Sequence, residues 1–232
     1  MNIAVIPARG GSKRILKKNI KNFCGKPLIS WTIEIALKSK LFDRVILSSE
    51  DEEIISIAKK YGAEVPFVRP KELSDDFSTT DDVMSHAANW IKNNENSVNS
   101  ICCIYATAPF LNIEDLKNGL KKFNEGKFNY VFAATDYSAP IFRSFEYTQK
   151  NGLRMFFPEN YNKRSQDLPV AYHDAGQFYW GSLDTWIKKK ETFNKYSFPI
   201  ILPRWRVQDI DTNSDWERAE FIMKTILDNN LN

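Results

Sequence analysis

Asn2-Ile3-Ala4-Val5-Ile6-Pro7-Ala8-Arg9-Gly10-Gly11-Ser12-Lys13-Arg14 is the stretch that decides the fold. The apolar run Ile3–Ile6 reads as a buried strand that stops at Pro7. The glycine pair Gly10-Gly11 then lets the backbone approach a ligand closely. Arg9, Lys13, Arg14 and Lys18 crowd the same loop, with Lys17 as a fifth cation and Asn19 just beyond. A loop of that charge at the end of a strand in an α/β protein calls for a polyanion, and the usual one is a nucleotide phosphate. Amides freed by Gly10 and Gly11 would cradle it while Arg9, Lys13 and Lys18 neutralise it. The loop is neither a Walker loop nor a Gly-x-Gly-x-x-Gly turn. The competing reading, a solvated basic loop, is weakened by its place directly after the first strand.

Working outward, apolar runs alternate with helical periods. Pro27 to Lys38 puts Leu28, Trp31 and Ile35 on one helical face, Val45–Leu47 reads as a second strand, and Asp51 to Tyr61 as a helix stopped by Gly62. Val65–Val68 reads as a third strand, and Ser78–Asp82 opens a helix running to about Asn93. Ile101–Tyr105 and Tyr130–Ala134 read as strands around a helix from Asn112 to Asn124. Gln177–Trp180, Ile200–Leu202 and Arg206–Ile210 are expected as later strands, with a short helix near Asp184–Lys190 and a closing amphipathic helix from Asn213 to about Asp228. The alternation predicts an α/β class: a mostly parallel sheet with helices on both faces.

The period fails between Ala139 and Tyr172. Phe142, Phe145, Tyr147, Met155, Phe156, Phe157 and Tyr161 give this stretch more apolar area than a solvated loop tolerates. It reads as a hairpin-like arm or subunit-contact element, or else as a small self-packed subdomain. The expected organisation is one α/β domain from residues 1–138 and 173–232, with residues 139–172 inserted.

Composition excludes several classes. The 232 residues are 43% apolar and 26% charged, enough for one sizeable core. A net charge of +3 is too small for a nucleic-acid-binding face. No apolar stretch approaches the ~18 residues of a membrane span, and the N-terminus enters a strand without a secretory signal pattern. Cys24, Cys102 and Cys103 show no Cys-x-x-Cys spacing. They read as buried free thiols of a cytoplasmic protein, with Cys102 and Cys103 on opposite faces of a strand. Zinc is not expected, since only His86 and His173 stand near to assist.

Three further groups carry chemistry. Asp209-Ile210-Asp211 on an extended backbone sets two carboxylates on one face, Cα atoms ~7 Å apart. They can hold Mg²⁺ against a triphosphate, or be exposed acids with Asp211 capping the last helix. Val68-Arg69-Pro70 sets Arg69 on a pre-formed extended backbone that can reach a phosphate or a base carbonyl. The hydroxyls of Ser78-Thr79-Thr80 can cap a helix, bind a base edge, or do both at different residues. In Tyr172-His173-Asp174-Ala175-Gly176-Gln177, His173 and Asp174 can orient a sugar or move a proton, or be structural; His86 reads as structural.

Together these residues resemble a known family, the cytidylyltransferases that activate acidic nine-carbon sugars, such as the CMP-sialic acid synthetases. Ile6–Lys13 with Lys18-Asn19 matches the family's opening signature, and Gly25-Lys26-Pro27-Leu28, Arg69-Pro70 and Asp209-Ile210-Asp211-Thr212 match later ones in the same order. The resemblance implies a nucleotide-diphospho-sugar transferase fold and a reaction: CTP plus a sugar acid gives CMP-sugar and pyrophosphate, with Mg²⁺. By that likeness Ala8, Arg9, Gly10, Gly11, Ser12, Lys13 and Lys18 bind the nucleotide's phosphates, with Arg9, Lys13 and Lys18 acting in catalysis. Asn19, Arg69 and Thr80 would surround the cytidine and phosphates. Asp209 and Asp211 would hold Mg²⁺, Asp211 also being a candidate base. The arm would make a homodimer and present Arg164 toward the partner's sugar carboxylate.

This sequence departs from the sialic acid pattern on the sugar side. A family Leu-Gln-Pro-Thr-Ser-Pro is Ile104-Tyr105-Ala106-Thr107-Ala108-Pro109, so the sugar-side Gln is Tyr105. Arg-x-Asn-Gly-Ala is replaced by His173-Asp174-Ala175-Gly176-Gln177. That combination is most similar to the branch acting on pseudaminic acid and makes Tyr105, His173, Asp174, Gln177 and Arg164 the expected sugar-binding set. The alternatives are another acid (sialic, legionaminic or the eight-carbon lipid-core sugar), a non-catalytic CTP-binding module, and an interaction scaffold built on the arm.

Overall fold

Ile3–Ile6 is entirely buried, in the strand next to one edge of a six-stranded sheet. The computed structural model describes residues 1–229. In chain order the elements are β1 (Asn2–Pro7), β2 (Asn22–Phe23), β3 (Lys26–Pro27), α1 (Leu28–Ser39), β4 (Arg44–Ser48), α2 (Glu52–Lys60), α3 (Thr80–Asn94), β5 (Ser100–Ile104), α4 (Ile113–Phe123), β6 (Tyr130–Asp136), β7 (Phe145–Thr148), β8 (Gly152–Met155), β9 (Tyr172–Gly181), α5 (Leu183–Ile187), β10 (Ser197–Ile201) and α6 (Asn213–Asp228).

The main sheet has the order β10-β6-β9-β5-β1-β4. β1 runs parallel to β4 and β5, and β10 parallel to β6, while β9 is antiparallel to both β5 and β6. The sheet is therefore mostly parallel, as expected. Cys102 packs into the core cluster on one face and Cys103 into that on the other. Both thiols are free, fully buried and pushed well above their ordinary pKa by desolvation.

Local chemistry starts the helices. Asp51 accepts from the Ile54 amide at the head of α2. Thr79 with Asp82, and Thr212 with Asp215, close reciprocal capping boxes on α3 and α6.

Two expected strands are absent. Val65–Val68 makes no ladder; the contact there is one parallel bridge, Ile46 to Glu64. Pro66 removes one of the donors a strand would need. Arg206–Ile210 is likewise not a strand but an irregular strap leading to α6. Side chains satisfy it in place of a ladder: Gln177 Nε2 donates to the Arg206 carbonyl at 2.7 Å and Lys18 Nζ to the Ile210 carbonyl at 2.6 Å. Conversely, the strand expected over Gln177–Trp180 begins five residues earlier, at Tyr172. Between the pairs Phe132–Tyr179 and Ala134–Asp174, two steps along β6 oppose five along β9. This bulge, with Gly176 at φ +60°, aims His173 and Asp174 toward the carboxyl ends of the parallel strands.

The inserted stretch contains the expected hairpin, β7 with β8. It leaves Phe145, Tyr147, Leu153, Phe156 and Tyr161 more than half exposed. Among the described residues, no helix is long and apolar enough to cross a membrane.

Candidate active site

The first-strand loop opens into a cavity of about 430 Å³ lined by Ala8, Arg9, Ser12, Lys13, Lys18 and Asn19, among others. The loop is held from below. The Ala8 amide donates to the Ser48 carbonyl at 3.0 Å, and Asn19 Nδ2 to the Arg9 carbonyl at 2.9 Å. Gly10 is needed for close approach, because a Cβ there would stand 2.4 Å from the Asp51 carboxylate. The expected amide cradle is only partly available. The Gly10 amide donates to Glu50 Oε1 at 2.8 Å and the Ser12 amide to the Gly10 carbonyl at 2.9 Å. The cationic side chains, more than the loop's amides, therefore face the cavity.

Lys18 joins this loop to the acids. Its ammonium bonds the Ile210 carbonyl and lies 3.3 Å from Asp211 Oδ1, which Arg14 reaches at 2.8 Å. Ile210 is fully buried among Phe23, Phe110 and Trp216, which anchors the strap between the two acids. Asp209 opens instead onto a second cavity of about 500 Å³, shared with Tyr105, Thr107, His173, Asp174 and Arg218. Desolvation, and after it the Asp211 charge, raises the Asp209 pKa. Both cavities share Tyr105 and Thr107, so the clefts meet there; Asp209 lines the second cleft, and Asp211, which lines neither, is tied to the first through Lys18.

The wall of the second cleft is a small network. Asp174 accepts from the Gly176 amide at 2.8 Å and from the Tyr179 hydroxyl. The Tyr105 hydroxyl lies 3.3 Å from Thr80 Oγ1, and the Tyr105 amide donates to the Gln177 carbonyl at 2.9 Å. Of the Ser78–Thr80 hydroxyls, Thr79 caps α3, while Thr80 faces Tyr105 and does not line the cationic cavity where the nucleotide was expected. His173 lines the cleft, with its ring against Tyr137 and Nδ1 2.8 Å from the Asp174 carbonyl.

Two expected site residues are placed elsewhere, and a third lies on the arm, as expected of its sequence position. Arg69 is 4% exposed and turned inward, its guanidinium donating to the Ser48 and Leu73 carbonyls. Burial lowers its pKa, with Glu50 as the nearby countercharge. It braces the Ser48–Glu50 turn that carries Gly10 and does not reach into the cleft. Gln177 is 3% exposed and spent on the Arg206 carbonyl, so it supports the strap. Arg164 stays on the arm, paired with Asp167 at 2.8 Å. His86 packs edge-on to Phe67, in keeping with a structural role.

Sequence reasoning missed Asp76, Glu50, Tyr179 and Arg218. Asp76 pairs with Arg9 and Lys13 across more than sixty residues, and no local spacing announces that. The Glu50-Asp51 pair before a helix was a signal, but one that reads equally as a cap.

Comparisons with known proteins identify the family. Residues 3–225 match the model of the family described as Cytidylyltransferase. The pseudaminic acid cytidylyltransferase of Campylobacter jejuni is 48% identical over 96% of each chain. The N-acylneuraminate cytidylyltransferase of Escherichia coli is 31% identical over 94% of this chain and 51% of that protein. Among solved structures, CMP:2-keto-3-deoxy-manno-octonic acid synthetase, determined with CTP, superposes with a TM-score of 0.70, covering 97% of this chain and 98% of that one. At 16% identity this likeness speaks for the fold alone. With nearly the whole chain matched, and nearly half of it identical to one relative, the chain belongs to the cytidylyltransferase family.

Proposed function

We propose that this chain transfers CMP from CTP to pseudaminic acid and releases pyrophosphate, with Mg²⁺ as cofactor. The observation that carries the reading is Lys18, which lines the cationic cleft and bonds the Asp211 strap at once. CTP enters with its triphosphate against Arg9, Lys13 and Lys18. A hydroxyl oxygen of the sugar attacks the α-phosphorus as its proton passes to a carboxylate of the Asp209–Asp211 pair, the bond to the bridging oxygen of the β-phosphate breaks, and pyrophosphate takes the electron pair. The three cations stabilise the charge that builds on that leaving group.

Asp209 and Asp211 offer hard oxygen ligands that suit Mg²⁺. Among the described residues no cluster of three candidate ligands exists, so phosphate oxygens and water complete the shell, as is usual for this ion. When bound, Mg²⁺ neutralises triphosphate charge. Asp209 lines the second cleft and Asp211 does not, which favours Asp209 as the acid nearer the sugar.

The sugar assignment rests on the Campylobacter relative and on the Tyr105–Asp174–Tyr179 wall. The arm's exposed apolar hairpin supports a homodimer in which Arg164 faces the partner's site. Leu153→Glu, at a 62% exposed position, is then expected to give a folded monomer on sedimentation; an unchanged mass would remove the arm from the interface. The buried free thiols of Cys102 and Cys103 go with a cytoplasmic location, Cys24 being half-buried where burial was expected.

The test is pyrophosphate release with CTP, ATP, GTP and UTP, each crossed with pseudaminic, legionaminic, sialic and the eight-carbon acid. CTP with pseudaminic acid is expected to be fastest. A preference for another acid would overturn the sugar assignment, and CTP binding without pyrophosphate from any acid would overturn the reaction.

A further inference from the structure

Asp76 puts a carboxylate into a cleft otherwise built for anions. Its Oδ1 accepts from Arg9 Nη1 at 2.8 Å and its Oδ2 from Lys13 Nζ. The same Arg9 nitrogen donates to the Asp75 carbonyl at 2.6 Å. Arg9, Lys13 and Asp76 all line the 430 Å³ cavity. Lys13 first, and then Arg9, hold the Asp76 carboxyl below its ordinary pKa. Among the described residues, these two cations are its only hydrogen-bond donors.

The turn that carries Asp76 does not need it. The neighbouring Asp75 carboxylate accepts from the Phe77 amide at 3.0 Å and from the Ser78 amide and hydroxyl at 2.7 Å. Ser78 Oγ also reaches the Glu72 carbonyl at 3.0 Å, and α3 starts independently on its Thr79–Asp82 box. Asp76 is exposed and the next residue, Phe77, is 89% exposed, so the Asp76 side chain can swing off without unpicking either element.

We propose that Asp76 is an internal competitor for the pyrophosphoryl half of the nucleotide. It pairs with Arg9 and Lys13 when the cleft is empty, yields them to the β- and γ-phosphates of CTP, and takes them back as pyrophosphate departs. This rests on the reading of Arg9 and Lys13 as triphosphate ligands. A ligand must bring more charge than one carboxylate to claim both cations. CTP and pyrophosphate do so; CMP, whose single phosphate lies at the α position, gains nothing from displacing Asp76. Asp76 thus sets selectivity by phosphate number and limits product inhibition by pyrophosphate.

The test is titration calorimetry of the intact enzyme with CTP, inorganic pyrophosphate and CMP, each with Mg²⁺, for wild type, Asp76→Asn and Asp76→Ala. Both variants are expected to bind CTP and pyrophosphate about three- to tenfold more tightly, the scale of two half-exposed ion pairs, and CMP as wild type does. Unchanged or weaker binding of CTP and pyrophosphate, or an equal gain for CMP, would overturn the competition. Arg9→Ala separates the two levels. If it leaves CTP binding intact, the ligand assignment itself fails; if it weakens CTP while the Asp76 variants bind as wild type, only the competition fails.

Discussion

The two clefts that meet at Tyr105 are built in opposite ways. The cationic cleft is mostly one loop, Ala8 to Asn19, braced from below by the Ser48–Asp51 turn. The second cleft is gathered from the segment after β5, the bulge of β9, the strap before α6 and α6 itself. A contiguous motif can fix the charge that grips a phosphate. A dispersed wall, with each side chain on a different element, can be rewritten piece by piece to fit another sugar. Four variants or conditions bear on that division.

The largest effect is expected at the strap beside Lys18. Asp211→Asn should lower turnover by about 10³-fold or more while the melting curve stays in place. Turnover near wild type would remove Asp211 from the metal-binding pair. Lys18→Ala comes next, at about 2–4 kcal/mol of transition-state stabilisation, read as the fall in kcat/KM for both substrates. A loss confined to one substrate would mean that Lys18 serves one cleft only.

A smaller change should separate the clefts. Tyr179→Phe removes a hydroxyl that donates to the Asp174 carboxylate, worth about 1.5 kcal/mol for a bond to a charged acceptor. KM for the sugar should rise, KM for CTP should hold, and denaturant stability should fall modestly. Parallel rises in both KM values would show that the wall also shapes the nucleotide site.

The smallest effect concerns the frame both clefts share. Lys189 and then Thr79 hold the Asp82 carboxyl below its ordinary pKa, and Thr212 does the same for Asp215. An acid with a depressed folded pKa stabilises above its unfolded value, about 3.9, and loses that contribution as pH falls through the folded value. These two acids should therefore add no slope from neutral down to about pH 5, and the melting temperature should drop below about pH 4, with less drop in Asp82→Asn. An identical acid profile in that variant would remove the α3 box from the account.

The division also explains what the sequence disclosed. Arg9 to Asn19 was legible because adjacent residues share one loop, whatever the fold does elsewhere. The Asp209–Asp211 pair was legible as chemistry, but its backbone was misjudged. Buried Ile210 and the bonds from Lys18 and Gln177 hold the strap without a neighbouring strand. Arg69 and Gln177 looked like ligands because polar side chains near a motif can point either way. Only tertiary contacts reveal that they brace backbone carbonyls. The long β9 was hidden by its bulge, which breaks the period-two pattern at His173–Gln177.

The central claim is that the cationic loop and the acid pair grip one magnesium–triphosphate. A double-mutant cycle on Mg·CTP affinity with Arg9→Ala and Asp209→Asn tests it most directly. A shared ligand predicts non-additive losses, with a coupling of about 0.5–3 kcal/mol. Losses that add to within about 0.5 kcal/mol would mean the two groups bind different things.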